Sequence, residues 1–245
     1  MPPHRKRADI LLVERGLFES RARAQAAIEA GLVFANDKVV AKASESIPAD
    51  AVLQAEPAHP WVSRGGVKLA AALEHYEIEV EDHVCLDVGA STGGFTEVLL
   101  ASGAALVFAI DVGRDQLHPS LRGHPRIVSM EQTDIRSYEG RRLPQRPDVV
   151  VIDCSFISLK AVLPVALSLA ASPMSLLALI KPQFEAKGAH GKGGIIKDAG
   201  VHAAVCDDIA AFAASLGCSD IQVFPSSIKG GDGNAEFFLG ARRHG

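Results

Sequence analysis

Apolar positions follow two different patterns along the chain, and the pattern changes near residue 60. From Trp61 onward, short runs rich in Val, Ile and Leu alternate with segments of helical apolar spacing, which is typical of a parallel sheet flanked by helices. This alternation predicts seven strands, at 83–87, 106–110, 126–130, 148–152, 175–180, 221–224 and 236–240. It predicts helices at 66–75, 94–102, 158–170 and 200–216. We therefore expect an α/β fold with a seven-stranded, mostly parallel sheet.

The first sixty residues have the pattern of a small α+β module. Ala8 and Leu12 share the apolar face of a first predicted helix, Ser20 is a suitable N-cap for a second, and Gly31 ends that helix. Asn36-Asp37 fits the turn of a β-hairpin, since both residue types tolerate positive φ. Strands are predicted at 32–35, 39–40 and 52–53.

An uncharged segment of 20 residues, 161–180, has the length of a membrane span. Pro164 and Pro173 interrupt it, however, and Ser172-Pro173 is typical of a turn. We interpret the segment as a buried helix followed by a short buried strand at 176–180, and we expect no membrane partner.

Composition and charge exclude few classes of function, but the basic residues are concentrated near the start of the chain. With a net charge of -4 the whole chain does not attract nucleic acid, yet eight basic and five acidic residues precede residue 43. Such a local surplus can bind phosphates or form an ordinary solvated face, and composition does not decide between them. The four cysteines are scattered without zinc spacing, so we expect no metal site and a reducing, cytoplasmic location.

A glycine-rich loop, DVGASTGGF at 87–95, lies between a predicted strand and a predicted helix. It lacks the GxGxxG spacing that holds a pyrophosphate, which favours a nucleoside such as S-adenosylmethionine over a dinucleotide; a simple tight turn is the other alternative. An acid after the next strand, Asp111, can bind both ribose hydroxyls, and Asp134 can reach the adenine amino group or serve only as a turn acid. The predicted cofactor-binding residues are Asp87, Gly89, Ala90, Ser91, Thr92, Gly93, Gly94, Phe95, Asp111 and Asp134.

Four charged residues lie near the ends of predicted elements: Lys68, Asp153, Lys181 and Glu236. Asp153 and Lys181 follow two buried strands, so both should border the ligand crevice of an open α/β sheet. Without the cofactor loop, a structural salt bridge would be the favoured explanation of Asp153 and Lys181. Beside a methyl donor, a lysine among carboxylates indicates catalysis.

The order of these motifs resembles a known family. Residues 6–53, with Arg7-Ala8-Asp9 and Ser20-Arg21, are similar to the S4 RNA-binding domain. SRGGVKL at 63–69, DVGASTGGF, VIDCSFIS at 151–158, IKPQFE at 180–185 and GNAEFF at 233–238 resemble the TlyA family, often labelled hemolysin. That family joins an S4 domain to an FtsJ-type methyltransferase domain.

The resemblance implies a class I, Rossmann-like methyltransferase domain at 63–245, an S4-like domain at 1–57 and a linker at 58–62. It implies S-adenosylmethionine-dependent 2′-O-methylation of cytidine in ribosomal RNA, with Lys68, Asp153, Lys181 and Glu236 as the catalytic tetrad. Because the last residues resemble the shorter family form, large-subunit (23S) RNA is the expected target, with 16S RNA left open. The alternatives from other classes are a membrane-active hemolysin and an RNA-binding module with an inactive methyltransferase fold.

Ribosomal RNA or a ribosomal subunit is thus the expected partner. The segment 187–198 lacks the spacing of a P-loop, and we interpret it as a basic RNA-contact loop, with a plain flexible loop as the alternative. Lys181 can act as a neutral base or as a cation that stabilises the developing alkoxide. The predicted RNA-binding residues are Arg5, Lys6, Arg7, Arg21, Arg23, Lys38, Lys42, Arg64, Lys187, Lys192 and Lys197.

Overall fold

The computed structural model describes residues 4–138, 142–186 and 194–245. Predicted residues Lys187 and Lys192 lie outside these ranges. The chain forms two compact units, Met1–Pro60 and Trp61–Gly245.

The first unit is a small α+β fold. Ser20 caps α2 by accepting a hydrogen bond from the Arg23 backbone N–H at 3.4 Å, and the Asn36-Asp37 turn joins two antiparallel strands, as predicted. A short antiparallel pair, β1 with β4, was not predicted, because its three-residue strands carry basic and polar side chains. The elements are β1 (Arg5–Arg7), α1 (Ala8–Glu14), α2 (Arg21–Glu29), β2 (Val33–Ala35), β3 (Lys38–Val39), β4 (Ser46–Pro48) and β5 (Leu53–Ala55).

The second unit contains the predicted seven-stranded sheet, in the order β11-β12-β10-β9-β6-β7-β8. The contiguous strands β10, β9, β6, β7 and β8 are parallel, whereas β12 runs antiparallel to both β10 and β11. The α/β prediction is therefore confirmed. The strands are β6 (Val84–Val88), β7 (Leu106–Ile110), β8 (Ile127–Met130), β9 (Val149–Ile152), β10 (Met174–Ile180), β11 (Ser219–Pro225) and β12 (Phe237–Arg243), and the helices are α3 (Arg64–His75), α4 (Gly94–Ala101), α5 (Leu159–Leu169), α6 (Pro182–Glu185) and α7 (Ala199–Ser215).

Helices cover both faces of this sheet. Leu163 of α5 and Ile209 of α7 are fully buried in one apolar cluster, while Leu69 of α3 and Leu99 of α4 are fully buried in the other. Burial on both faces explains why the parallel strands are continuously apolar.

The uncharged segment 161–180 has the predicted form. It comprises most of α5, a turn at the cis Ser172-Pro173 bond and the buried strand β10. Within the described part of the chain, no helix is long and apolar enough to cross a membrane.

The order of the strands determines where a ligand can bind. From β6 the chain moves outward through β7 and β8, then returns to place β9 on the other side of β6. At such a reversal the loops after β6 and β9 diverge and leave a crevice at the carboxyl ends of the strands.

Candidate active site

The glycine loop starts inside this crevice. Its backbone turns immediately after β6, where Gly89 has φ +85° and donates its N–H to the Ile110 carbonyl oxygen at 2.8 Å. A Cβ at Gly89 would lie 2.5 Å from the Asp153 carbonyl oxygen. A glycine is therefore required here by both backbone conformation and close approach to the end of β9.

A cavity of about 450 Å³ opens beside the loop. The Asp111 carboxylate accepts the backbone N–H groups of Ser91 at 2.8 Å and Gly113 at 2.6 Å, which fixes it at the end of β7. The side chains and backbone that line the cavity include Gly89, Ser91, Asp111, Thr133, Asp134, Asp153, Cys154, Ser155 and Phe156.

Asp134 lines the cavity and also binds Arg136, two residues further along the chain. Its carboxylate accepts the Arg136 backbone N–H at 2.9 Å and forms an ion pair with the Arg136 guanidinium at 2.5 Å. The hydrogen bond from the Arg136 side chain lowers the pKa of Asp134. The turn-acid alternative is thus borne out, although one carboxylate can serve both purposes.

Asp87 lies beneath the loop and is fully buried. Its Oδ2 accepts a hydrogen bond from the Thr96 hydroxyl at 2.6 Å, while Oδ1 has no hydrogen-bond partner among the described residues. Burial raises the pKa of Asp87 to about 7, against the opposing effect of the Thr96 hydrogen bond. Asp87 is absent from the residues that line the cavity.

Phe95 was predicted to bind the cofactor, but its side chain does not line the cavity. Its side chain is 3% exposed and packs in the core, with its ring centroid 6.3 Å from that of Phe238. The first turn of α4 faces α3 at this point, so the residue after the glycines points into the protein. Gly94 serves the same packing, since a Cβ there would overlap the Ser63 hydroxyl.

The four charged residues form two ion pairs at the same edge of the sheet. Lys68 Nζ lies 2.5 Å from Glu236 Oε2, and Lys181 Nζ lies 2.6 Å from Asp153 Oδ1. Ile180 and Phe237 are paired in the ladder between β10 and β12, so Lys181 and Glu236 are the next residues beyond the paired strand ends. The antiparallel direction of β12 brings the residue before its first position to the edge where the parallel strands end.

Lys181 also contacts the cavity wall. Its ammonium donates a hydrogen bond to the Ser155 hydroxyl at 2.9 Å, and both Ser155 and Asp153 line the cavity. Lys68, Lys181 and Glu236 are each less than 10% exposed. A buried amine at the rim of the cavity is suited to act on a ligand group held there.

An aromatic residue that the sequence analysis did not single out projects at the cavity mouth. Phe156 is 90% exposed, has φ +64°, and its ring centroid lies 4.9 Å from that of Phe184. A bulky residue with positive φ and an exposed ring stores local strain, which indicates a functional constraint. Its position three residues after the strand-end acid Asp153 was the only signal in the sequence.

Two of the predicted RNA-binding arginines share one carboxylate partner within the first unit. Arg7 Nε lies 3.0 Å from Asp9 Oδ1 and Arg21 Nη2 lies 2.7 Å from Asp9 Oδ2, although Asp9 is fully buried. Gln25 is a third donor residue, with a hydrogen bond to Asp9 at 2.9 Å. The hydrogen bond from Arg7, with further bonds from Arg21 and Gln25, holds the pKa of Asp9 far below its ordinary value.

The other predicted basic residues are distributed over both units. Arg5 donates to the Ser46 carbonyl oxygen, Lys6 pairs with Glu14 at 2.5 Å, and Arg64 donates to the Lys229 carbonyl oxygen at 2.8 Å. Lys38, Lys42 and Lys197 are exposed and Arg23 is partly buried. Among the described residues, no cluster of three His, Cys, Asp or Glu side chains could hold a metal ion.

Three features define a methyltransferase of the Rossmann-like class: a nucleoside-sized crevice at the strand reversal, a glycine loop over it and a lysine–carboxylate pair at its rim. The family models agree: the FtsJ-like methyltransferase model matches residues 61–243 and the S4 domain model matches residues 6–53. The chain therefore belongs to the FtsJ-like methyltransferase family and carries an S4 domain.

Known relatives resemble it over most of its length. It is 43% identical to the 16S/23S rRNA (cytidine-2'-O)-methyltransferase TlyA of Mycobacterium tuberculosis, over 97% of this chain and 90% of the relative. It is 38% identical to the 23S rRNA (cytidine-2'-O)-methyltransferase TlyA of Campylobacter jejuni, over 73% of this chain and 69% of the relative. A solved hemolysin-labelled protein from Streptococcus thermophilus shares 38% identity with a TM-score of 0.75, covering 98% of this chain and 89% of the other.

The predicted cofactor, S-adenosylmethionine, is that of a methyltransferase, and the residues present fit it. Gly89 leaves open the space beside Asp153 that any side chain would fill, and Asp111 ends the strand next to the loop. The family resemblance inferred from the sequence motifs is thus confirmed.

Proposed function

We propose that this chain transfers a methyl group from S-adenosylmethionine to the ribose 2′-oxygen of a cytidine in ribosomal RNA. The observation that carries the proposal is the double role of Asp153, which lines the cofactor cavity and pairs with Lys181 at 2.6 Å. One carboxylate thereby joins the cofactor site to the lysine–carboxylate set. The functions for which the relatives from M. tuberculosis and C. jejuni are named support the substrate class.

The chemical task is to make a weakly acidic hydroxyl attack in line. When bound, S-adenosylmethionine supplies an electrophilic methyl group on a sulfonium centre. Lys181, in contact with Asp153 and Ser155, orients the ribose hydroxyl and stabilises negative charge as it develops on oxygen. Asp153 or water then takes the proton.

The pairing of Lys181 supports the cationic role over that of a neutral base. A carboxylate at 2.6 Å stabilises an ammonium, whereas a neutral amine would leave the charge of Asp153 without this partner. The pair Lys68–Glu236 holds a second charge-balanced contact beside it, at 2.5 Å. We assign these four residues as the catalytic set.

We propose that two features of the chain contact the RNA. A cytidine in paired RNA must leave its stack to reach Lys181, and the exposed ring of Phe156 offers a surface on which its base can stack. We propose an S4-like domain at 1–57, a linker at 58–62 and the methyltransferase domain at 63–245. The S4-like domain supplies phosphate contacts through its basic residues.

The names of both relatives include 23S RNA, so large-subunit RNA is the proposed primary target, with 16S RNA as a second.

The test is tritiated methyl transfer to isolated large and small ribosomal subunits from a strain that lacks this gene. The wild-type protein should label 2′-O-methylcytidine in the large subunit. Lys181→Ala should lose at least about 99% of the turnover, as expected for a group that acts on the reacting oxygen, while calorimetric binding of S-adenosylmethionine stays within about threefold.

Lys160→Ala is the matched control, because Lys160 is a partly exposed lysine paired with Asp208. It should retain wild-type turnover. Label on neither subunit, with intact cofactor binding, would reject the ribosomal substrate, and substantial turnover by Lys181→Ala would reject the catalytic assignment.

A further inference from the structure

A polar network of two buried amides and one exposed carboxylate connects the turn after Lys181 to the loop before Glu236. Gln183 lies in α6, two residues after Lys181, and its Nε2 donates a hydrogen bond to Asp232 Oδ2 at 3.3 Å. Asp232 also accepts the Asn234 side-chain amide at 2.7 Å and the Asn234 backbone N–H at 3.0 Å. Burial raises the pKa of Asp232, but these hydrogen bonds outweigh it and hold that pKa below its ordinary value.

Asn234 extends the network to a third segment. Its Oδ1 accepts the Ile196 backbone N–H at 2.9 Å, and its Nδ2 donates to the Gly194 carbonyl oxygen at 3.3 Å. Asn234 is 1% exposed and Gln183 is 8% exposed, whereas Asp232 lies at the surface. Two buried amides and one carboxylate therefore join the Gly194–Ile196 segment, the α6 turn and the loop before β12.

The loop held by this network forms part of the surroundings of Glu236. Ser226 N–H donates to the Glu236 carbonyl oxygen at 2.9 Å, and Gly230 N–H donates to the Asn234 carbonyl oxygen at 2.9 Å, which closes the loop twice. Gly230 lies so near that a Cβ on it would be 2.6 Å from Glu236 Oε1. A shift of this loop would therefore move the carboxylate that binds Lys68.

We propose that Asp232, together with Gln183 and Asn234, is a positioning residue that keeps the Lys68–Glu236 pair aligned with Lys181 during methyl transfer. The strand ladder fixes only the backbone up to Ile180 and Phe237, and the two ion pairs lie beyond it. A small displacement of a catalytic group lowers turnover far more than it lowers ligand binding. The inference rests on the proposed function, and none of the three residues lines the cofactor cavity.

The test compares Asp232→Ala with Asp232→Asn in the full-length protein. Asp232→Ala removes the acceptor of three hydrogen bonds and should lower kcat at least tenfold, with KM for S-adenosylmethionine within twofold. Asp232→Asn keeps an acceptor oxygen and should restore kcat to within about threefold of wild type. Asp207→Ala, on the exposed surface of α7, is the matched control and should match wild type.

Wild-type kcat in Asp232→Ala overturns the inference, and so does an equal loss in both variants with weakened cofactor binding, which would indicate a general loss of fold. An inactive wild-type protein would instead reject the proposed function. A crystal structure of Asp232→Ala then tests the positioning by itself: we expect the Lys68–Glu236 pair to be displaced, and an unmoved pair overturns the inference.

Discussion

Asp87 should make the stability of this protein fall as the pH rises from about 4 to 7. Its carboxyl is fully buried under the glycine loop, and burial raises its pKa from 3.8 to about 7. In this window the folded chain binds a proton at Asp87 that the unfolded chain has released, so folding is favoured at lower pH. Above pH 7 the carboxyl is ionised in both states and the effect levels off.

The size of this effect follows from the two pKa values. Each unit of difference corresponds to about 1.4 kcal/mol, and the part of the titration between pH 4.5 and 7.5 amounts to roughly 3 kcal/mol. Asp87→Asn imitates the neutral acid and can still accept the Thr96 hydrogen bond. The variant should therefore lack this dependence and gain about 3 kcal/mol relative to wild type over the interval.

Urea unfolding of the cofactor-free wild type and Asp87→Asn at four pH values measures the difference directly. Other titrating groups cancel, because only the difference between the two proteins is used. Asp207→Asn is the control, since Asp207 is exposed on the surface of α7. A difference between wild type and Asp87→Asn that stays constant with pH would refute the reasoning.

Two further predictions concern the crevice. Gly89→Ala should lower the free energy of unfolding, measured by urea titration, by about 2–4 kcal/mol, because φ is +85° and the new Cβ would approach the Asp153 carbonyl oxygen. The control is Gly217→Ala, where φ is +86° but no described atom lies within 4 Å of the new Cβ. It should lower the free energy of unfolding by only about 1 kcal/mol. Equal losses would contradict the close-approach argument. Phe156→Ala should raise KM for RNA about tenfold, as lost base stacking predicts, and Phe156→Tyr should restore it; an unchanged KM would exclude the ring as a stacking surface.

The apolar pattern predicted the second unit well because its central strands are buried on both faces. The run Val149–Ile152 is entirely buried and could only be a central strand, and the turn at Ser172-Pro173 divided the uncharged segment as expected. The β1–β4 pair escaped prediction because its strands are stabilised by pairing between distant polar segments, which leaves no local apolar signal.

The sequence correctly predicted the position of the candidate site residues that lie at strand ends. It did not predict the residues whose role depends on the direction of the side chain. Asp153 and Lys181 were expected to meet, since adjacent parallel strands end at one edge, and they form an ion pair. Phe95 was misassigned because the first turn of α4 directs its ring into the core. The exposure of Phe156 and the distant partners of Asp232 depend on loop conformations that no spacing in the sequence reveals.

The arrangement around Asp9 has a consequence for how the first unit meets a polyanion. The Arg7 and Arg21 side chains are about half exposed, yet each is already held by the buried carboxylate. A free arginine loses about 2 kcal/mol of rotamer entropy when it is immobilised on a ligand. Here the two side chains are already held in the folded unit, so a phosphate group bound there, as proposed, would meet two guanidinium groups in fixed positions, with one of their two charges balanced by Asp9.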